Sequence, residues 1–464
     1  MQKTLARFSP VDPTASEPIY RQLYWRFREA IANGVLAPGE RVPAARALAK
    51  ELGLARGTID SAYSLLTSEG YLHARGQAGT IVAPGITPAP APAVHAAQSS
   101  PANRHPPETQ PFQMGLPALD AFPKKIWAQI AARCVRSTRP QDMAHPSAYG
   151  LQSLRAAIAS YLRVARGIAC TPEQVFITSG YCDSLSLITH ALLNPGDRVL
   201  IEDPGYPPTR QLLAQLQIHT TALPVDQDGM CLPAGEPARA AVITPAHQSP
   251  LCVSLSLPRR LELLAWANRQ QAWIIEDDYD GEYRYISRPL PALKSLDRDG
   301  RVLYSGKFSK VLFPGLRLAY VVEPQSQVER FQHASQTFRS SCPELTQAIV
   351  ATFMAEGHFA RHIQRMRKLY SERRAYTVNG LNSVLGEHVR IDSNPGGMHL
   401  ILRLGAQHPD RLLVERMREN GLFAEALSEW SLLGEKPSGL LLGFANIDSQ
   451  VSAEALGRRI LALL

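Results

Sequence analysis

Between Pro84 and Pro111 the chain reads PGITPAPAPAVHAAQSSPANRHPPETQP, and this segment constrains everything on either side of it. Proline and alanine dominate, and large apolar residues are almost absent. Such a stretch can supply neither a core nor a regular ladder of hydrogen bonds. It predicts a semi-extended tether over residues 84–111, dividing the 464-residue chain into bodies at 1–83 and 112–464. With 45% hydrophobic and 19% charged residues, the chain has the composition of a globular protein rather than a disordered one. No apolar run reaches the roughly 18 residues of a membrane span. The N-terminus, MQKTLARFSP, lacks the apolar stretch of a signal peptide, so a cytoplasmic protein without a membrane partner is expected. Six scattered cysteines form no C-x-x-C pair, which predicts reduced thiols and no metal site. The net charge of +8 suits a polyanionic partner, provided the charge gathers in one module.

Before the tether, Ile19, Leu23, Phe27 and Ile31 stand at helical spacing within residues 19–32, and Asn33-Gly34 ends that run. A second, short helix is predicted over residues 44–52, started by Pro43 and stopped at Gly53. A third, over residues 58–70, carries Ile59, Ala62, Tyr63 and Leu66 on one face. Two short strands, 71–73 and 79–82, then flank a glycine-rich tip. Three helices followed by a hairpin predict a winged helix-turn-helix, whose third helix enters the major groove of duplex DNA. Arg46 opens the second helix, Arg56 precedes the third, Thr58 starts it and Arg75 lies at the wing. These side chains suit contacts to guanine edges or phosphates. The runs GERVPAARALAKELGLARGTIDSAY and EGYLHARGQAGTIV resemble the GntR family of winged-helix regulators. Ala44-Ala45 departs from that family, whose members usually place two serines before the arginine.

From Phe112 onward, apolar runs at 175–177, 198–201, 241–244, 273–275, 302–304 and 318–322 alternate with helical patterns such as 151–166 and 258–270. Fully apolar strands interleaved with helices predict an α/β domain whose sheet is covered on both faces. Ligands of such folds bind beyond the strand ends, and chemistry gathers there in this sequence. Thr178-Ser179-Gly180-Tyr181 opens a helix, a start suited to phosphate. Glu276-Asp277-Asp278-Tyr279-Asp280 sets acids directly after a buried strand, where they need a positive partner. Lys307 and Lys310 follow another strand, with Arg317 close behind, and Tyr206 sits on the turn EDPGYP. A lysine, a buried acid, a phosphate cradle and a flat aromatic are the parts that pyridoxal 5'-phosphate (PLP) requires.

The segments TSG, EDPGYP, TPAHQ, IIEDDYDGEYRY and KFSKVLFPGLR resemble fold-type I aminotransferases, and in particular the MocR branch of GntR regulators, in which a winged helix is fused through a linker to such a domain. The resemblance spans nearly the whole chain. It implies that Lys310 is the Schiff-base lysine, that Asp277 pairs with the pyridine nitrogen, that Tyr279 donates to the 3'-oxygen and that Tyr206 stacks on the ring. It also implies that Gly180, Tyr181, Ser309 and Arg317 hold the phosphate, and that the protein is a head-to-tail homodimer.

Several positions depart from that pattern. Lys307 stands where relatives have Thr or Ser, and either adds a phosphate contact or competes with Lys310 for the aldehyde. His247 either approaches the 3'-oxygen or satisfies loop carbonyls. Leu251-Cys252 replace Thr-Gly, and Cys182 is expected to be a packing residue. Aminotransferases usually clamp the substrate carboxylate with an arginine just before a strand resembling 440–445, and PSGLLLGFA has none. Arg339 and Arg403 are the alternatives for that clamp. Its loss would cost much of the affinity for a carboxylate. The expected effector is therefore PLP itself or an amine without that carboxylate. Two functions follow: a DNA-binding regulator that senses PLP or an amine adduct of it, or an aminotransferase with an appended DNA-binding module.

Overall fold

The computed structural model describes residues 11–86, 109–232, 237–285, 291–338, 342–392, 396–405, 407–434 and 437–464. Most of the expected tether, residues 87–108, lies outside the described residues, as does Arg339. The chain divides into two compact units, 1–105 and 106–464.

In the first unit, helices α1 (Ile19–Ala32), α2 (Ala45–Leu52) and α3 (Arg56–Ser68) precede an antiparallel hairpin of β1 (Leu72–Ala74) and β2 (Thr80–Val82). Leu23, Phe27, Ile31, Leu48, Ile59, Leu66, Leu72 and Val82 are buried in one shared core. Phe27 meets Tyr63 edge-on at 5.3 Å. Gly53 ends α2 in the left-handed conformation (φ 66°) that glycine adopts without strain, which turns the chain into α3. The third helix begins at Arg56, two residues earlier than the sequence pattern places it. Ala55 serves as its N-cap without any side-chain bond, so no Ser, Thr or Asp marks the start. Arg56 therefore opens the helix rather than preceding it, and pairs with Asp60 one turn on (3.3 Å).

The second unit is built on an eight-stranded sheet of β3 (Val175–Thr178), β4 (Arg198–Asp203), β5 (His219–Asp226), β6 (Gly229–Met230), β7 (Ala240–Ile243), β8 (Trp273–Asp278), β9 (Val302–Lys307) and β10 (Ala319–Val322), in the order β3-β10-β9-β8-β7-β4-β5-β6. The pairs β5-β4, β4-β7, β7-β8 and β8-β9 are parallel, while β10 runs antiparallel to both its neighbours. Apolar clusters on its two faces explain the near-continuous apolar runs of its central strands. Asp277 lies opposite Ser305, and Ala319 lies between Thr178 and Lys307, so the chemically distinctive ends of β3, β8 and β9 meet at one edge. A smaller antiparallel sheet, β11 (Arg390–Ile391), β12 (His399–Arg403), β13 (Glu425–Ala426) and β14 (Gly439–Gly443), packs with the helices His358–Leu385, Asp410–Glu419 and Gln450–Leu461. Phe112 bridges to Gly443, and a Cβ on Gly443 would come 2.3 Å from the Gln113 carbonyl oxygen. That close approach lays residues 113–115 beside the strand ends.

Candidate functional site

The strand ends, the small sheet and the segment around Gly115 enclose a cavity of 310 Å³. Gly180, Tyr181, Tyr206, Asp277, Tyr279, Lys307, Ser309, Lys310 and Arg317 all line it. Nine residues singled out in four separate segments thus converge on one space, while His247 stands behind the wall.

Lys310 donates from Nζ to the Gly115 carbonyl oxygen (2.8 Å). A side chain at position 115 would collide with that amine, since an added Cβ would lie 1.9 Å from Nζ. Burial, reinforced by the charge of Lys307, lowers the Lys310 pKa to about 8. The amine therefore loses its proton more readily than an ordinary lysine, as a nucleophile must. Asp277 is almost fully buried at the end of β8, and burial raises its pKa although Lys307 opposes this. Lys307 Nζ lies 3.1 Å from each carboxylate oxygen of Asp277, but only Oδ2 accepts a hydrogen bond, so Oδ1 has none. The same ammonium sits over the rings of Tyr181 (4.4 Å) and Tyr279 (5.7 Å). Lys307 thus occupies a neutralising position on the acid.

At the other end of the cavity, the helix Tyr181–Leu192 begins immediately after β3, with Gly180 at its N-cap in a conformation (φ 133°) that disfavours side chains. A Cβ on Gly180 would lie 3.4 Å from Arg317 Nη2. A helix N-terminus, a bare glycine and an adjacent guanidinium make an anion cradle. The hydroxyl of Thr178 is engaged with Ser184 (2.7 Å) and that of Ser179 donates to Asp183 (3.1 Å), so neither is free to extend the cradle.

His247 is buried and is not among the residues that line the cavity. Its Nδ1 lies 2.8 Å from the Tyr279 hydroxyl and 3.2 Å from Asp280 Oδ1, and loop carbonyls are not its partners. Burial opposes a charge on this imidazole, but Asp280 outweighs it and holds the ring protonated. The physical reason is space: the cavity-facing position belongs to Tyr279, and a Cβ on Gly397 would come 1.9 Å from the His247 ring. His247 therefore positions the tyrosine hydroxyl. Beneath the same wall, Cys252 holds a left-handed conformation (φ 63°) where the resemblance leads one to expect glycine. Its Sγ lies 3.2 Å from His399 Nε2. Burial would raise the thiol pKa, but His399 and His247 bring it down to about 6.

Sequence reasoning missed Met114, Gly115, Met398, His399, Glu425 and Trp430, all of which line the cavity. They come from the small sheet and from the residues before the first large-unit helix, and no local pattern marks them. Arg317 is the one arginine among the described residues that lines the cavity. Arg403 pairs with Asp392 instead (2.9 Å) and does not reach it, which removes one alternative for a carboxylate clamp.

Residues 19–82 match the gntR family of bacterial regulatory proteins, and residues 120–458 match the class I and II aminotransferases. The probable rhizopine catabolism regulatory protein MocR of Rhizobium meliloti is 34% identical, covering 96% of this chain and 94% of its own length. The chain belongs to the MocR branch of the GntR regulators. It is thus a DNA-binding transcription regulator with an aminotransferase-like domain. The pyridoxine biosynthesis regulator PdxR of Corynebacterium glutamicum is 32% identical, covering 95% of this chain and 94% of its own. Among solved structures, the α-aminoadipate aminotransferase LysN of Thermus thermophilus, complexed with N-(5'-phosphopyridoxyl)-L-leucine, superposes with a TM-score of 0.68. It is 28% identical and covers 76% of this chain and 92% of its own. Among the described residues no helix is long and apolar enough to cross a membrane, and no cluster of side chains could hold a metal ion.

Proposed function

We propose that this regulator holds PLP in the cavity of its large unit and that the occupancy of that cavity sets how it binds DNA. The observation that carries the reading is that buried Asp277, whose Oδ1 accepts no hydrogen bond, lines the same cavity as Lys310. A carboxylate so placed fits a pyridine N–H, and the Gly180–Arg317 cradle fits a phosphate. When bound, PLP supplies an aldehyde that condenses with a primary amine.

The chain's own residues do the rest. Lys310 Nζ presents the amine, with Gly115 holding it by one hydrogen bond. Asp277 would accept a hydrogen bond from a pyridine N–H and so favour its protonated form. Tyr279, whose hydroxyl meets His247 Nδ1 at 2.8 Å, would donate to the ring oxygen, and Tyr206 would cover a ring face. Among the described residues, Arg317 of the anion cradle is the one arginine lining the cavity, which leaves none for a substrate carboxylate and favours a sensor over a working aminotransferase. Residues 1–83 serve as the DNA module, 84–111 as the tether and 112–464 as the cofactor module of a cytoplasmic head-to-tail homodimer. Coupling between occupancy and DNA affinity requires only that PLP bind two arrangements of the protein unequally.

Arg46, Arg56 and Arg75 are exposed and Thr58 is half-buried at the first turn of α3, as contacts to DNA require. The Arg56–Asp60 pair is solvated (69% and 50% exposed) and holds the arginine weakly. Arg56→Ala should weaken binding to a duplex selected from a random pool by the wild-type protein by about tenfold, as expected for one lost charge-assisted contact. The slope of affinity against salt should fall by about one ion. Fluorescence anisotropy at several salt concentrations reads both. Unchanged affinity and slope would refute the docking of α3.

A further inference from the structure

The cavity contains more than the PLP-holding groups account for. Glu425, the first residue of β13, and Trp430, in the turn after it, also line the cavity. The Trp430 indole N–H donates to Glu425 Oε2 (3.2 Å), which fixes the carboxylate against the ring. The ring of Tyr206 stands 5.6 Å from that of Trp430, and both line the cavity with the acid. Among the described residues no lysine or arginine forms an ion pair with Glu425. Glu425 is half-buried in the cavity wall, and burial raises its pKa although the Trp430 N–H and the charges of Lys310 and His399 oppose this.

A carboxylate held in a cavity wall by one indole N–H, with no ion-pair partner, is a place where a ligand can supply the positive charge. A carboxylate in a cavity also lined by Trp and Tyr suits an ammonium group, which both the charge and the aromatic rings attract. A carboxylate-bearing ligand would be repelled here, since like charges in a desolvated cavity disfavour each other strongly.

We propose that Glu425 and Trp430 form a cation subsite, and that the effector is an amine bearing a second positive charge: one amine at the Lys310 end of the cavity, the other on Glu425. This rests on the PLP reading above and adds the class of ligand to it. It also gives a positive reason for the missing arginine, because an arginine at this end would pair with Glu425 and close the subsite.

The test uses the full-length protein loaded with PLP and isothermal titration with putrescine, cadaverine, butylamine, pentylamine and γ-aminobutyrate. The absorption of bound PLP is recorded first. If the wild-type protein does not take up PLP, the reading of the cofactor site fails, whatever the amines do. If it does, at least one diamine should bind about tenfold or more tightly than the monoamine of equal length, and γ-aminobutyrate should bind no better than that monoamine. Glu425→Gln, which keeps the shape, should retain the PLP absorption and bring diamine and monoamine affinities together. Trp430→Phe, which removes the orienting N–H, should narrow the gap. PLP uptake with no diamine preferred, or a preference that persists in Glu425→Gln, would overturn the subsite.

Discussion

Lys310→Ala will abolish the absorption band that PLP gains on the wild-type protein and will weaken retention of PLP on dialysis by about a hundredfold or more, since the covalent link is the largest single contribution to holding it. The remaining contacts, the Asp277 carboxylate and the Gly180–Arg317 cradle, will still concentrate PLP in the cavity, so weak, colourless binding is the expected residue of the site. The wild-type reaction should also depend on pH in a defined sense. Burial lowers the Lys310 pKa to about 8. Its amine is therefore mostly protonated and inert below that pH, and the rate of coupling to PLP should rise as pH approaches about 8 and level off beyond it. An ordinary lysine would level off above pH 10. A band that survives Lys310→Ala would move the attachment to Lys307, whose Nζ already lies 3.1 Å from both oxygens of Asp277.

The second large effect concerns what holds the acidic strand end in place. Arg166, almost wholly buried at the end of the helix Gln152–Ala165, pairs with Asp278, the immediate neighbour of Asp277. The Tyr304 hydroxyl donates to the same carboxylate (2.6 Å), and Arg166 Nη1 donates to the Gly281 carbonyl oxygen (3.2 Å). Burial opposes the charge on Arg166, but Asp278 outweighs it and the guanidinium stays protonated. Arg166→Met leaves Asp278 as an uncompensated buried charge and should cost about 3–5 kcal/mol in the denaturant unfolding of the large unit. Asp278→Asn in the same chain should restore most of that loss, because it removes the stranded charge. A single substitution costing under about 1 kcal/mol would mean that water reaches the pair and that it contributes little.

Neither Arg166 nor its partner role is visible in the sequence, and the contrast with Lys310 is instructive. Lys310, Asp277, Arg317 and Gly180 were legible because each follows an apolar run long enough to mark a strand, and strand ends of a covered sheet share an edge. The polar strand His219–Asp226 escaped notice because it lies near the sheet edge and is only partly buried, so it carries no apolar run. The two-residue strands β11 and β13 are too short for any period to register. Glu425 and Trp430 went unseen for the same reason, since their place in the cavity depends on a register between distant strands. His247 was singled out by its motif, yet its partners Tyr279 and Asp280 depend on how two loops pack. The start of α3 at Arg56 was missed because its N-cap is alanine, which leaves no capping signal.

The central claim is that occupancy of the Lys310 cavity is read out at DNA. It is tested most directly by anisotropy titrations of one duplex, selected by the wild-type protein, at fixed salt with and without PLP. Lys310→Ala runs alongside, and absorption confirms loading of the wild type. The account predicts that PLP shifts the wild-type affinity by about 5-fold or more, the range of ordinary allosteric coupling, and leaves the Lys310→Ala curve in place. Superimposable wild-type curves, with the cavity shown to be loaded, would contradict it.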